Sequence, residues 1–335
     1  MPKNSVIPVF IPHAGCPHDC VFCDQRKISG HIVPPTPADV EEIISAGIQK
    51  LDAPAELAFY GGSFTCLPFS DQEKYLSAAK KFIDRGKVCR IRVSTRPDAI
   101  DDDILDLLVS HGVETVELGA QSLDDSVLAR ANRGHSGADV EKASELIKAR
   151  GLKLILQLMF GLPGDTPDTA KKTCLRAAEL CPDGVRFYPV VVLRGTALCD
   201  MFESGLYTPL SVEKAVELCA DLLPIFVQKN IPVIRLGLNP TDDLTYGSSV
   251  AAGAYHPALG ELTWSRYFLN RARELLKTAE VSGKIVTLWV DPRRLSVMAG
   301  QHRCNTMALT EEFGIKKLRI CPGDAGINNI SFSAE

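Results

Sequence analysis

From Ser5 to about Gly237, short β-branched runs alternate with longer amphipathic stretches. Seven runs have the length and composition of strands: 6–11, 57–61, 90–94, 115–119, 154–160, 185–192 and 233–236. Helical periodicity covers 38–51, 71–85, 102–110, 137–149, 167–180 and 212–229. Stop and start signals fall between them. Gly86, Gly112, Gly151 and Gly184 follow helices as expected C-caps, and Thr36-Pro37, Ser70 and Thr166-Pro167 open others. Strands alternating with helices of this length predict βαβ units and a parallel α/β sheet. Right-handed crossovers wind such a sheet towards a complete or partial (β/α) TIM-type barrel. A doubly wound sheet stays open as the alternative, because periodicity does not choose between the two.

In barrels of this kind the chemistry sits in the loops after the strands. Here those loops read AGCPHDCVFC, YGGSFTCLP, STRPD, GAQS, GLPGDTPD and RGTAL, which predicts one composite site. After about Asn239 the pattern changes. Residues 240–258 read as loop and 264–278 as a helix. A small β–loop–helix–β unit follows, with strands at 285–290 and 315–320 and a helix at 305–313. The segment after Cys321 shows no clear pattern. The expected division is a core barrel over 1–237, a connecting segment and helix over 238–283, and a small basic α/β unit over 284–335.

Composition narrows the class. The 335 residues are 45% hydrophobic and 23% charged, with a formal net charge of −4, as in ordinary globular proteins. No apolar run approaches the roughly 20 residues of a membrane helix, and the first residues do not read as a signal peptide. A cytoplasmic protein without a membrane partner is expected. The terminal segment 284–319 departs from the average, with seven Lys and Arg against three Asp and Glu. Gly300-Gln301-His302-Arg303 falls in a turn there, and Arg303 is a candidate contact to a phosphate backbone. The other reading is a solvated face that covers the open side of the barrel. Trp289 falls within a strand pattern and reads as a core candidate, so no aromatic stacking pair accompanies these charges.

Eleven cysteines are present. Eight are scattered and read as small apolar side chains. The other three, Cys16, Cys20 and Cys23, stand close together after the first strand. Such a loop can bring three thiolates to one side of a 4Fe–4S cube, which has four irons to ligate. One iron then stays open to chelate an amine and a carboxylate, the pair that the methionine moiety of S-adenosylmethionine (SAM) offers. The alternatives are zinc, with His13 or His18 as a fourth ligand, and inert thiols.

CPHDCVFC after a first strand and YGGSF after a second resemble the radical SAM superfamily. STRPD, VELGAQS, NRGHS, FGLPGDT and YPVVVLRGTAL, in that order over about 5–236, resemble the core of the elongator catalytic subunit family. More loosely they resemble the oxygen-independent coproporphyrinogen oxidases. No acetyltransferase domain of the elongator kind is expected here. The resemblance implies that Gly61, Gly62 and Ser63 meet the amino group of the bound methionine, with glycine permitting close approach. It implies that Ser94 or Thr95 meets polar groups of SAM, that Gln121 bonds its ribose or carboxylate, and that Gln157 contacts its ribose. Arg133 would pair with the methionine carboxylate.

Arg96 and Asp98 are either substrate contacts or an ion pair bracing their loop. Arg194 is a candidate substrate contact in the sixth loop. His135 and His256 are candidate proton carriers, with a structural role the better reading for each. The leading function is a radical SAM enzyme acting on tRNA, with reduced flavodoxin or ferredoxin as electron donor. The alternatives are a radical SAM enzyme for a small molecule or peptide, and a non-catalytic iron–sulfur protein that binds RNA.

Overall fold

The computed structural model of the chain describes residues 5–11, 16, 18–24, 33–238 and 245–335. One sheet holds β1 (Val6–Phe10), β2 (Ala55–Tyr60), β3 (Val88–Thr95), β4 (Val113–Gln121), β5 (Lys153–Phe160) and β6 (Gly184–Pro189). The short β7 (Val191–Leu193) leaves it, and β8 (Val233–Leu236) is its seventh strand. Sheet order follows chain order and every neighbouring pair is parallel. Each strand is laid beside the last in a single direction, so the sheet is singly wound and forms a partial (β/α) barrel. The doubly wound alternative falls on the same observation, because its strand order reverses part-way.

The helices between the strands are α1 (Pro37–Ile48), α2 (Phe69–Asp84), α3 (Asp102–Ser110), α4 (Asp125–Arg130), α5 (Gly137–Ala149), α6 (Pro167–Glu179), α7 (Ala197–Glu203) and α8 (Val212–Gln228). Their starts are chemically specified. Thr36 caps α1, Ser136 caps α5 and Thr166 caps α6, each in a reciprocal capping box, with proline in the first turn of α1 and α6. Two expected signals act elsewhere. Ser70 lies inside α2, which follows Pro68 without a side-chain cap. Gly184 is the first residue of β6, and the left-handed residue after α6 is Cys181, at φ 48°.

Period-2 alternation sorts the strands into two faces. Leu57 and Phe59, Ile91 and Val93, Val116 and Leu118, and Leu154 and Leu156 are buried in the core under the helices. Their neighbours Tyr60, Glu117, Gln157 and Arg186 line the inner side of the half barrel.

The expected loop at 240–258 contains β9 (Val250–Gly253), which pairs antiparallel with β7. The following helix, α9 (Leu259–Leu276), starts earlier than expected. The terminal unit comprises β10 (Ile285–Val290), α10 (Leu295–Ala299), α11 (Cys304–Glu312), β11 (Lys317–Pro322) and β12 (Ile330–Ala334). β12 is the patternless tail of the sequence reading. It pairs antiparallel with β10, opposite the parallel β11. Val286, Leu288, Val290, Met298 and Leu309 of this unit share one continuous apolar core with α9 and the barrel helices. No described helix is long and apolar enough to cross a membrane.

Candidate active site

The loop after β1 carries Cys16, Cys20 and Cys23. Cys20 is buried, and the other two are half-buried. The Cys23 amide donates to the Cys20 carbonyl at 3.0 Å, which turns the loop between the two thiols. Three bonds fix this turn to later parts of the chain. The Val21 amide donates to the Ala131 carbonyl at 3.1 Å, and the Leu198 amide at the start of α7 donates to the Val21 carbonyl at 2.8 Å. The Asn132 side-chain amide donates to the Asp19 carbonyl at 2.9 Å. The His18 ring lies against Gly134, whose φ is +78° and whose missing side chain leaves room for it. His13 lies outside the described residues.

Two buried arginines surround the thiols. Arg133 directs Nη1 at the Cys20 sulfur, 3.4 Å away, and donates Nη2 to the Gly119 carbonyl at 2.7 Å. Arg96 is 2% exposed, and its charge also acts on Cys16 and Cys20. Burial works against that charge, but the Asp98 carboxylate outweighs it through bonds of 2.9 and 3.0 Å and holds the guanidinium charged. Its Nη2 also donates to the Arg133 carbonyl at 2.5 Å. Arg96 and Asp98 therefore form the bracing ion pair.

The donor set fits an iron–sulfur cluster. Three thiols with buried guanidinium charge beside them suit thiolate ligands and an anionic cluster. Nε of Arg133 and Nη1 of Arg96 are buried without a partner among the described residues, so each keeps a donor to offer. No three His, Cys, Asp or Glu side chains among the described residues could hold a metal ion. An iron–sulfur cube spreads its thiolates over a larger body than one ion.

The residues expected around SAM fall into two groups. Gly61 has φ +98°, and a Cβ there would stand 3.3 Å from the Ile11 amide nitrogen, so glycine lets the ends of β1 and β2 close up. Gly62, Ser63 and Ser94 line a small hollow beside it. Ser63 and Thr95, however, bond to each other at 2.9 Å, and both are buried. Thr95 also contacts the Thr65 hydroxyl, and Ser63 accepts from the Arg96 amide at 3.0 Å. These hydroxyls tie the second and third loops together. Gln121 ends β4 at φ +64°, after a register shift against β5. It lines a cavity of about 540 Å³ with Cys23 and Gln157.

An inner charge network, absent from the sequence reading, reaches that cavity through Glu117 and Arg186. The fully buried Glu117 accepts from Arg92 at 2.5 Å, Arg186 at 2.7 Å and Gln157 at 2.8 Å. Glu56 accepts from Arg92 at 2.8 Å and Arg90 at 3.3 Å. Burial, then the Glu117 charge, pushes the Tyr60 hydroxyl up to about 12, so it stays protonated. Burial also opposes the Arg186 charge, but Glu117 prevails and holds it above its ordinary value. Arg235 lines the same cavity and donates Nε to the Gly237 carbonyl at 3.2 Å, with no ion pair among the described residues. Burial pulls it below its ordinary value. Arg90, Arg92 and Ser94 at alternate positions of β3, and Glu117 and Gln121 on one face of β4, were the available signal: polar residues facing one interior.

Other candidates stand apart. Arg194 is exposed, 3.8 Å from Glu203, and does not line the cavity. Arg303 is exposed at φ +63° in the terminal unit. His135 is buried with Nε2 against the Ala120 carbonyl at 3.1 Å. Burial, then the Arg133 charge, lowers it to about 4. His256 accepts from the Ala258 amide at 3.0 Å at the start of α9. Neither histidine lines the cavity.

Residues 10–177 match the Radical SAM superfamily, and residues 182–268 match the Radical_SAM C-terminal domain. A tRNA uridine(34) acetyltransferase of Methanocaldococcus infernus is 28% identical over 282 residues, covering 68% of this chain and 52% of the relative. An uncharacterised protein of Methanocaldococcus jannaschii is 30% identical over 276 residues, covering 78% and 81%. Elongator complex protein 3 of Homo sapiens is 28% identical over 239 residues, covering 63% and 41%. The chain spans about half the length, or less, of the acetyltransferases and elongator proteins it matches. Among solved structures, the archaeal Elp3 of Methanocaldococcus infernus superposes with a TM-score of 0.63 at 24% identity, over 80% of this chain and 63% of that one. That likeness speaks for the fold. Half of the chain, including the three-cysteine loop and strands β2 to β5, thus carries the family's pattern, and the chain belongs to the radical SAM superfamily of enzymes, with a core like that of the elongator catalytic subunit family.

Proposed function

We propose that the chain cleaves SAM reductively at a 4Fe–4S cluster held by Cys16, Cys20 and Cys23, and that the 5′-deoxyadenosyl radical removes a hydrogen atom from tRNA. The observation that carries this reading is that Cys23, Gln121 and Gln157 line one cavity on the inner face of the half barrel. When bound, the cluster supplies one electron to the sulfonium of SAM, which breaks its C5′–S bond and leaves methionine. The chain's own part is orientation and exclusion of water. Arg133 and Arg96 offset negative charge at the thiolates, and Arg133 keeps its Nε for the methionine carboxylate. Gly61 and Gly62 let the methionine amino group approach backbone. Gln121 and Gln157 present amides to the ribose, while Phe10, Phe22 and Met159 keep the cavity wall apolar around a reactive radical.

A tRNA substrate is supported by the tRNA acetyltransferase relatives and by the basic terminal unit. Reduced flavodoxin or ferredoxin is the proposed electron donor. A small anionic metabolite is the second reading, favoured by Arg235, whose guanidinium lines the cavity without an ion pair among the described residues. One experiment separates them. 5′-Deoxyadenosine formation by the anaerobically reconstituted, reduced protein rises strongly with bulk tRNA on the first reading and is indifferent to it on the second. No cleavage in either condition, with the cluster present, would overturn the catalytic proposal.

A further inference from the structure

The terminal sheet has one covered and one open face. Residues opposite one another in register point the same way. Val286, Leu288, Ile320, Ile330 and Phe332 face the helices and the shared core. The other face is therefore defined by Trp289, which stands beside Cys321 and Ser331, and by Thr287, which stands beside Arg319 and Ser333. Lys317 follows beside Ile285. This corrects the placement of Trp289 in the core: it is 39% exposed.

The basic excess of the segment is redistributed by the fold. Arg293 pairs with Asp291 at 2.8 Å, and Arg294 turns inward to stack on Trp264 at 4.4 Å. Lys317 and Arg319 stay exposed on the open face and form no ion pair or side-chain hydrogen bond among the described residues. Among the described residues of β10, β11 and β12 no carboxylate lies on this face, and Glu335, just past β12, pairs with Ile285 in the row of Lys317. Gly323 lies alongside the indole, where a Cβ would stand 2.9 Å from that of Trp289, so a larger residue would crowd the ring.

An exposed indole on a sheet, flanked by two free cations and by small hydroxyl-bearing residues, has a specific chemistry. The ring offers a π-face to an unpaired base, and the cations lie along the strand direction to meet its phosphates. A double helix keeps its bases stacked inside and offers the indole nothing. An acidic peptide would use the cations and leave the indole idle. We propose that the open face around Trp289, Lys317 and Arg319 docks a single-stranded RNA segment of the substrate. The RNA occupant rests on the tRNA reading above; the surface itself lies outside the residues matched by either family.

The test uses the full reconstituted chain and a fluorescein-labelled oligouridylate of about 12 nucleotides at low salt. The chain has two tryptophans, and Trp264 is covered by Arg294, so quenching of tryptophan emission on binding reports on Trp289. Trp289→Ala should weaken binding by about tenfold or more, while Trp289→Phe retains most of it. The double variant Lys317→Gln/Arg319→Gln should weaken binding similarly and flatten the slope of log K against log salt by about 1.4. 5′-Deoxyadenosine formation measured without RNA should match that of the unaltered chain in all three. Unchanged oligouridylate affinity in Trp289→Ala and in the double variant would overturn the platform and leave the tRNA reading standing. A parent chain that binds neither oligouridylate nor tRNA would overturn both, with SAM cleavage still read separately.

Discussion

The imidazole of His18 rests on the backbone of Gly134, closely enough that any side chain at that position would overlap the ring. The contact joins the cysteine loop to the segment before α5, next to Arg133. Gly134→Ala must therefore displace His18 and also hold an alanine at φ +78°, a left-handed conformation that costs about 1–2 kcal/mol. The expected outcome is lower iron content per chain after reconstitution, with the far-ultraviolet circular dichroism unchanged. Full iron loading would show that the contact does not position the loop.

Glu117 is the single carboxylate between Arg92 and Arg186 and is fully buried. Glu117→Gln removes the charge that neutralises Arg186 and that shares Arg92 with Glu56. Breaking a buried pair in this way costs about 3–5 kcal/mol, to be read from urea unfolding midpoints. A loss within about 1 kcal/mol would mean that water or a bound anion already serves the arginines.

His135 is neutral in the folded chain, since burial and the Arg133 charge lower it from 6.5 to about 4. The unfolded chain binds its proton first as pH falls, so the sign is fixed: this residue costs stability between about pH 6.5 and 4 and nothing above. The full loss is on the order of 3 kcal/mol. An imidazole titration by NMR should place His135 near 4. A midpoint near the ordinary value would contradict its burial.

Much of the barrel was legible because its signals are local. Capping residues and glycines bracket the helices, and Cys16, Cys20 and Cys23 are adjacent in sequence. Glu117, Arg92 and Arg186 were not, since each is an ordinary charged residue in its own strand and joins a network only when parallel strands align them. Ser63 and Thr95 illustrate the same limit. Their loops were identified as part of the site, but only the fold reveals that the two hydroxyls bond to each other. β12 was missed because its alternation of Ile330 and Phe332 with Ser331 and Ser333 is too short to stand out, and that strand completes the sheet on which Trp289 is exposed.

The central claim is that the three thiols together support SAM cleavage, and one comparison tests it most directly. 5′-Deoxyadenosine is measured from the anaerobically reconstituted, dithionite-reduced chain beside its Cys20→Ala and Cys23→Ala variants, with iron content and circular dichroism recorded for each. Cleavage by the parent chain, and none by either variant despite an intact fold, is the predicted result. Full cleavage by either variant would contradict the account.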